Sequence, residues 1–117
     1  MNLIAFLGSD KESWGQISAL INNGKWDKII ILKSKNAEDF PIEASETIKI
    51  NSEQPIILLK DDMMKKLKDK LSGDLEVALS IASGNGKEHM AVISALLSVP
   101  VGIRLVAYTK DGVEFVN

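Results

Sequence analysis

The stretch Leu75-Glu76-Val77-Ala78-Leu79-Ser80-Ile81-Ala82, then Ser83-Gly84-Asn85-Gly86, then Lys87-Glu88-His89-Met90-Ala91-Val92-Ile93 decides the fold. An apolar run of strand length meets two glycines and continues into a segment with helical character that Pro100 stops. The spacing predicts a strand over Leu75 to Ala82 and a helix from about Lys87 to Val99. A strand that feeds a helix through a short polar loop is the building step of a parallel sheet, because parallel neighbours need a crossover.

The same alternation recurs outward from this stretch. Leu3 to Leu7 is a short apolar run ended by Gly8, as expected of a strand buried on both faces. Ser9-Asp10-Lys11-Glu12 reads as an S-x-x-E capping box opening a helix, with Trp14, Ile17, Leu20 and Ile21 on one face and an end at Gly24. Ile29 to Leu32 is an uninterrupted β-branched strand. Residues 34 to 45 are polar, contain Pro41 and read as a connection to a weaker strand at Thr47 to Ile50. After Pro55, Leu59, Met63, Leu67 and Leu71 recur at spacing four and predict a helix that Gly73 ends. The pairs Asp61–Lys65 and Asp62–Lys66 support it in the favourable order. Ile103 to Tyr108 and Val113 to Val116, joined by Lys110-Asp111-Gly112, read as a hairpin.

The sum is an α/β chain. It is expected to form one Rossmann-like, doubly wound domain over residues 1–117, with a mostly parallel sheet of about six strands. Right-handed crossovers favour the order 3-2-1-4-5-6, with the antiparallel hairpin at one edge.

Composition narrows the chemistry. The 117 residues carry 14 basic and 16 acidic side chains, a net charge of −2, which argues against duplex DNA as a partner. Cysteine is absent, which excludes disulfides, thiol nucleophiles and iron–sulfur clusters. His89 is the single histidine and leaves little material for a metal site or a His-based triad, so no metal or cofactor is expected. The N-terminal apolar run lacks a basic leader and stops at Gly8, and Met90 to Val101 is too short to cross a bilayer. A cytoplasmic protein without membrane contact is the expectation.

In sheets of this kind ligands bind outside the carboxyl ends of the strands, where the winding reverses. The loops that meet there are Gly8-Ser9-Asp10 and Ser83-Gly84-Asn85-Gly86-Lys87, and both run into helix N-termini that favour an anion. Ile81 and Glu88 occupy the positions where a Walker A loop needs glycine and Ser/Thr, so that reading fails. No G-x-G-x-x-G follows the first strand, so nicotinamide and flavin chemistry is not expected. Taken alone, Gly84 and Gly86 turn the chain, Asn85 caps a helix and Lys87 stands in solvent. The position after a central strand favours a ligand loop instead.

Ser83-Gly84-Asn85-Gly86-Lys87, with the helix that follows it, resembles the signature loop of CARF domains, the CRISPR-associated Rossmann fold. That family's form is Asp/Asn-x-Ser/Thr-Gly-Gly-x-Lys/Arg. Ser83, Gly84 and Lys87 match it, while Ile81 and Asn85 depart from it. The first strand ending at Gly8-Ser9, the strand at Asp27 to Leu32 and the terminal hairpin also fit. The resemblance implies a stand-alone homodimer that binds a cyclic oligoadenylate of type III CRISPR antiviral signalling across its two-fold axis, ring size open. It implies ligand binding by Gly8, Ser9, Asp10, Ser83, Gly84, Asn85, Gly86 and Lys87. Some members are ring nucleases that need no metal. In that case Lys87 would stabilise charge, and Ser9 and Ser83 with their neighbouring amides would hold phosphate or ribose oxygens. The alternative is a Rossmann-like interaction module, or a mononucleotide-binding module, without catalysis.

A dimer has support from the residues themselves. Met90, Ala91, Val92, Ile93, Ala95, Leu96, Leu97 and Val99 occupy nearly every face of the helix 88–99, and a helix apolar all round is covered on more than one side, by the sheet and a partner subunit or as a deep core helix of a small monomer. His89 reads as a partly buried hydrogen-bonding residue, and Trp14 and Trp26 as core residues. The lysines at 60, 65, 66, 68 and 70 read as a solvated face, Met63 and Met64 as packing residues, and Glu38, Asp39, Glu43 and Glu46 as an acidic loop region. Asp10 would repel a phosphate unless it caps a helix or binds a ribose hydroxyl.

Overall fold

Among the described residues six short strands account for the buried apolar runs, and all belong to one sheet. The computed structural model describes residues 1–35, 37 and 46–117. The strands are β1 (Leu3–Leu7), β2 (Ile29–Ser34), β3 (Glu46–Ile50), β4 (Glu76–Ser80), β5 (Gly102–Thr109) and β6 (Gly112–Phe115). The helices are α1 (Trp14–Asn23), α2 (Ile56–Lys68) and α3 (Gly86–Ser98). The strand order is β3-β2-β1-β4-β5-β6, parallel throughout except for the β5–β6 hairpin. This is the expected doubly wound, Rossmann-like α/β arrangement.

Every residue of β1 is fully buried, as its unbroken apolar run requires of a central strand covered on both faces. Alternate residues point to opposite faces. Ile4, Phe6, Ile30, Leu32, Val77 and Leu79 pack with α2 and α3 on one side. Ala5, Leu7 and Ile31 meet Ile17 of α1 on the other, and Leu3 and Ala78 meet Leu20 there. Leu59, Met63 and Leu67 are the buried stripe of α2, as the spacing of four demands.

Four local expectations are corrected. The Ser9 capping box does not form: Asp10 caps a 3₁₀ turn, Lys11–Ser13, without a side-chain cap bond, and α1 begins only at Trp14. The second helix ends at Lys68, short of Gly73. Gly73 has φ +90°, a left-handed turn that glycine allows at little cost. Of the two i,i+4 pairs, Lys66 meets Asp62 at 3.2 Å, whereas Asp61 pairs with Lys60 at 3.4 Å. Glu46 is a strand residue, paired with Lys28 and Lys70, whereas Pro41, Glu38, Asp39 and Glu43 lie outside the described residues.

Among the described residues no helix is long and apolar enough to cross a membrane. Trp26 donates its ring N–H to the Leu20 carbonyl at 2.8 Å and packs with the α1 side of the core, in keeping with a structural role.

Candidate functional site

β1 and β4 are parallel neighbours, with Ala5 opposite Ser80, so their following loops leave the sheet side by side. The loops are fastened together. The Gly8 N–H donates to Ser83 Oγ at 2.9 Å, and that hydroxyl donates to Asp10 Oδ1 at 2.9 Å. Gly84 N–H donates to the same carboxylate oxygen, also at 2.9 Å. Their backbones approach so closely that a Cβ on Gly8 would lie 2.7 Å from Gly84 Cα. Gly84 has φ +102°, and a Cβ there would fall 2.8 Å from the Phe6 ring. Glycine is required at both points by space, and at Gly84 by conformation too.

Side chains of both following helices hold this clasp from behind. The Trp14 ring N–H donates to the Gly8 carbonyl at 2.9 Å, and His89 Nε2 lies 2.8 Å from the Ser83 carbonyl. A carbonyl can only accept, so Nε2 carries the proton. Partial burial pushes the Asp10 carboxyl up, but hydrogen-bond donors at Ser13, Gly84 and Ser83 outweigh it and hold the group below its ordinary value. Asp10 therefore takes the donors that a ligand anion would have used. Ser83 is fully buried with its hydroxyl spent inside the protein, so it positions the loops.

The start of α3 is capped within itself. Asn85 Oδ1 accepts from Glu88 N–H and Glu88 Oε1 accepts from Asn85 N–H, each at 2.9 Å. Gly86 and Lys87, the first two helical residues, have N–H groups with no intrahelical acceptor available. Lys87 is exposed, and its ammonium donates to the Ser52 carbonyl at 3.0 Å. Ser9 is exposed on the loop after β1.

A cleft of about 190 Å³ opens at this edge, lined by Ser9, Ser34, Lys35, Ser52, Glu53, Asn85 and Glu88. Sequence reasoning pointed to the β1 and β4 loops and missed the contributions from the ends of β2 and β3. The strand order carried that signal, since four parallel strands in a row put all four carboxyl ends on one edge. Lys35 pairs with Glu53 at 2.9 Å, and that contact, with Lys87 nearby, lowers the Glu53 carboxyl. A larger cavity, about 600 Å³, lies between β3 and α2. Its lysines at 35, 49, 65 and 66 alternate with Asp61 and Asp62, so it presents no single sign of charge. Among the described residues no cluster of His, Asp or Glu could hold a metal.

No protein-family model matches this chain, and no curated protein matches it significantly.

Proposed function

We propose that this chain is a CARF-like domain that binds a cyclic oligoadenylate as a homodimer. The observation that carries the reading is the clasp of the β1 and β4 loops at the point where the winding reverses, beside the open first turn of α3. Gly86 and Lys87 offer backbone donors to a phosphate there, and the helix dipole favours its charge. Among the described residues the Lys87 ammonium donates only to the Ser52 carbonyl, with the Glu53 carboxylate nearby, and that exposed contact leaves it within reach of the ligand. Gly8, Asp10, Ser83 and Gly84 set the shape of the loops, and Ser9 and Asn85 flank the cleft.

Ring cleavage is the further step of this reading. The ligand's 2′-hydroxyl oxygen forms a bond to the adjacent phosphorus and loses its proton. The bond from phosphorus to the 5′-oxygen breaks, and that oxygen leaves protonated. The product is a 2′,3′-cyclic phosphate beside a 5′-hydroxyl. Lys87 would offset charge on the phosphoryl oxygens and Ser9 would hold one in line.

The dimer rests on α3. Ala91, Val92, Ala95 and Leu96 are buried against the sheet and α2, but Met90 and Leu97 are 61% and 63% exposed. With half-buried Ile93 they form an apolar stripe open to a partner.

One observation favours the second reading, an interaction or mononucleotide module: Asp10, Ser83, Asn85 and Glu88 already satisfy one another. Calorimetry with cyclic tri-, tetra- and hexa-adenylate, followed by chromatography of the products, separates the two. Binding at one ring per two chains, lost in Lys87→Ala, is the expected result. Absence of heat and turnover with every ring overturns the proposal and leaves the second reading.

A further inference from the structure

We infer that the cleft at the ends of β1 to β4 is a ribose subsite, held by Ser34, Ser52 and Glu88, within the nucleotide site proposed above. Two buried hydroxyls point to a ligand. Ser34 Oγ and Ser52 Oγ are both shut from solvent without a hydrogen-bond partner, and Ser34 as a whole is only 5% exposed. Both residues line the same cleft, although Ser34 ends β2 and Ser52 lies in the turn after β3. Orphaned buried polar groups are unfavourable and uncommon, so two of them on residues that line one cleft call for a partner there.

The chemistry of the walls selects the partner. Each hydroxyl can donate and accept. Glu88 is 95% buried, its Oε1 is taken by Asn85 N–H, and Oε2 makes no hydrogen bond among the described residues. A carboxylate acceptor lining the same cleft as two hydroxyls repels a phosphate and suits a neutral hydroxyl, the free 2′-hydroxyl of a ring ribose or the hydroxyl pair of a mononucleotide. Pairing of a carboxylate with ribose hydroxyls is the usual solution at the edge of such sheets. At about 190 Å³ the space is below the usual size of a whole-ligand pocket, so it takes one moiety. The attached phosphate then falls outside, toward Gly86, Lys87 and the positive end of α3. Entry requires parting two exposed contacts, Lys35 with Glu53 and Lys87 with the Ser52 carbonyl, both weak in water.

This inference refines the nucleotide reading, and its test is built to fail separately. The variants are Ser34→Ala, Ser52→Ala and Glu88→Gln; the last keeps an oxygen for the Asn85 N–H. The probes are the three cyclic oligoadenylates, adenosine 5′-monophosphate and its 2′,3′-dideoxy counterpart, read by calorimetry beside thermal unfolding. Expected are losses of affinity of about tenfold or more in each variant, an unchanged or higher Tm for the serine variants, and equally weak binding of the dideoxy probe to wild type and variants. Rings that bind wild type and all three variants alike overturn the subsite and leave the ring reading standing. Binding of the monophosphate with this pattern, but of no ring, supports the subsite and removes the ring. Serine variants that lose thermal stability also overturn it, because the hydroxyls would then be partnered by water in the fold.

Discussion

Asp10 joins two loops that are more than seventy residues apart in the chain, and its carboxylate oxygen receives both Ser83 Oγ and the Gly84 N–H. Replacing it with alanine strands the buried Ser83 hydroxyl and the part-buried Gly84 N–H, so Asp10→Ala should lower stability by about 1–2 kcal/mol in urea unfolding. Its pH dependence has a definite sign. The folded-state carboxyl lies below the ordinary 3.8, so its contribution is complete above that value and is lost as pH falls through the folded value. Wild type should therefore lose stability relative to Asp10→Asn below about pH 4, where only the wild-type residue titrates. Gly84→Ala should cost more than the ordinary substitution of an open glycine, because φ +102° and the Phe6 ring both oppose a Cβ. At this scale the sequence was only half legible. Ser83 and Asp10 stood out as candidates for the site, but that they satisfy each other depends on β1 and β4 lying side by side. No local pattern encodes that contact.

Two helix starts carry similar motifs and behave differently. Asn85-Gly86-Lys87-Glu88 closes a reciprocal capping box, whereas Ser9-Asp10-Lys11-Glu12 does not, because the chain there turns through a 3₁₀ segment and Asp10 reaches across to β4's loop. Asn85→Ala should cost about 1 kcal/mol in chemical unfolding. Ser9→Ala should stay within about 0.5 kcal/mol of wild type, since no cap bond is lost. Equal losses in the two variants would contradict this distinction. Apolar spacing predicted the helices themselves well, because each buries one stripe against the sheet. Their ends were less legible: α2 stops at Lys68 although Leu71 continues its buried stripe, and only tertiary packing fixes that boundary. The ends of β2 and β3 were invisible as site components for the same reason. Ser34 and Ser52 are ordinary polar residues until the strand order puts them on one cleft.

The order β3-β2-β1-β4-β5-β6 leaves one flank of α3 without cover, since α2 lies beside it and the sheet beneath it. On that flank Met90 and Leu97 remain mostly exposed, and the nearby terminal hairpin adds Val116 at 69% exposure. Isolated exposed apolar residues are ordinary, but a stripe at helical spacing on the element that starts the candidate site is the surface that the proposed homodimer would cover. A second copy suits a ligand with two-fold symmetry, because one ring would then meet two first turns of α3. A stable interface takes about 800 Å² from each partner, roughly an eighth of the 6195 Å² this chain exposes, which the stripe can reach only with its neighbours on β5 and β6. Leu97→Glu should thus convert a dimer to a monomer in sedimentation or light scattering while leaving the fold intact, because the side chain is already solvated in the single chain. The same variant should lose ring affinity although residue 97 lies near the far end of α3 from Lys87. Retained ring affinity in a monomeric Leu97→Glu chain would show that one copy suffices, and a wild type that is monomeric at high concentration would remove the dimer altogether.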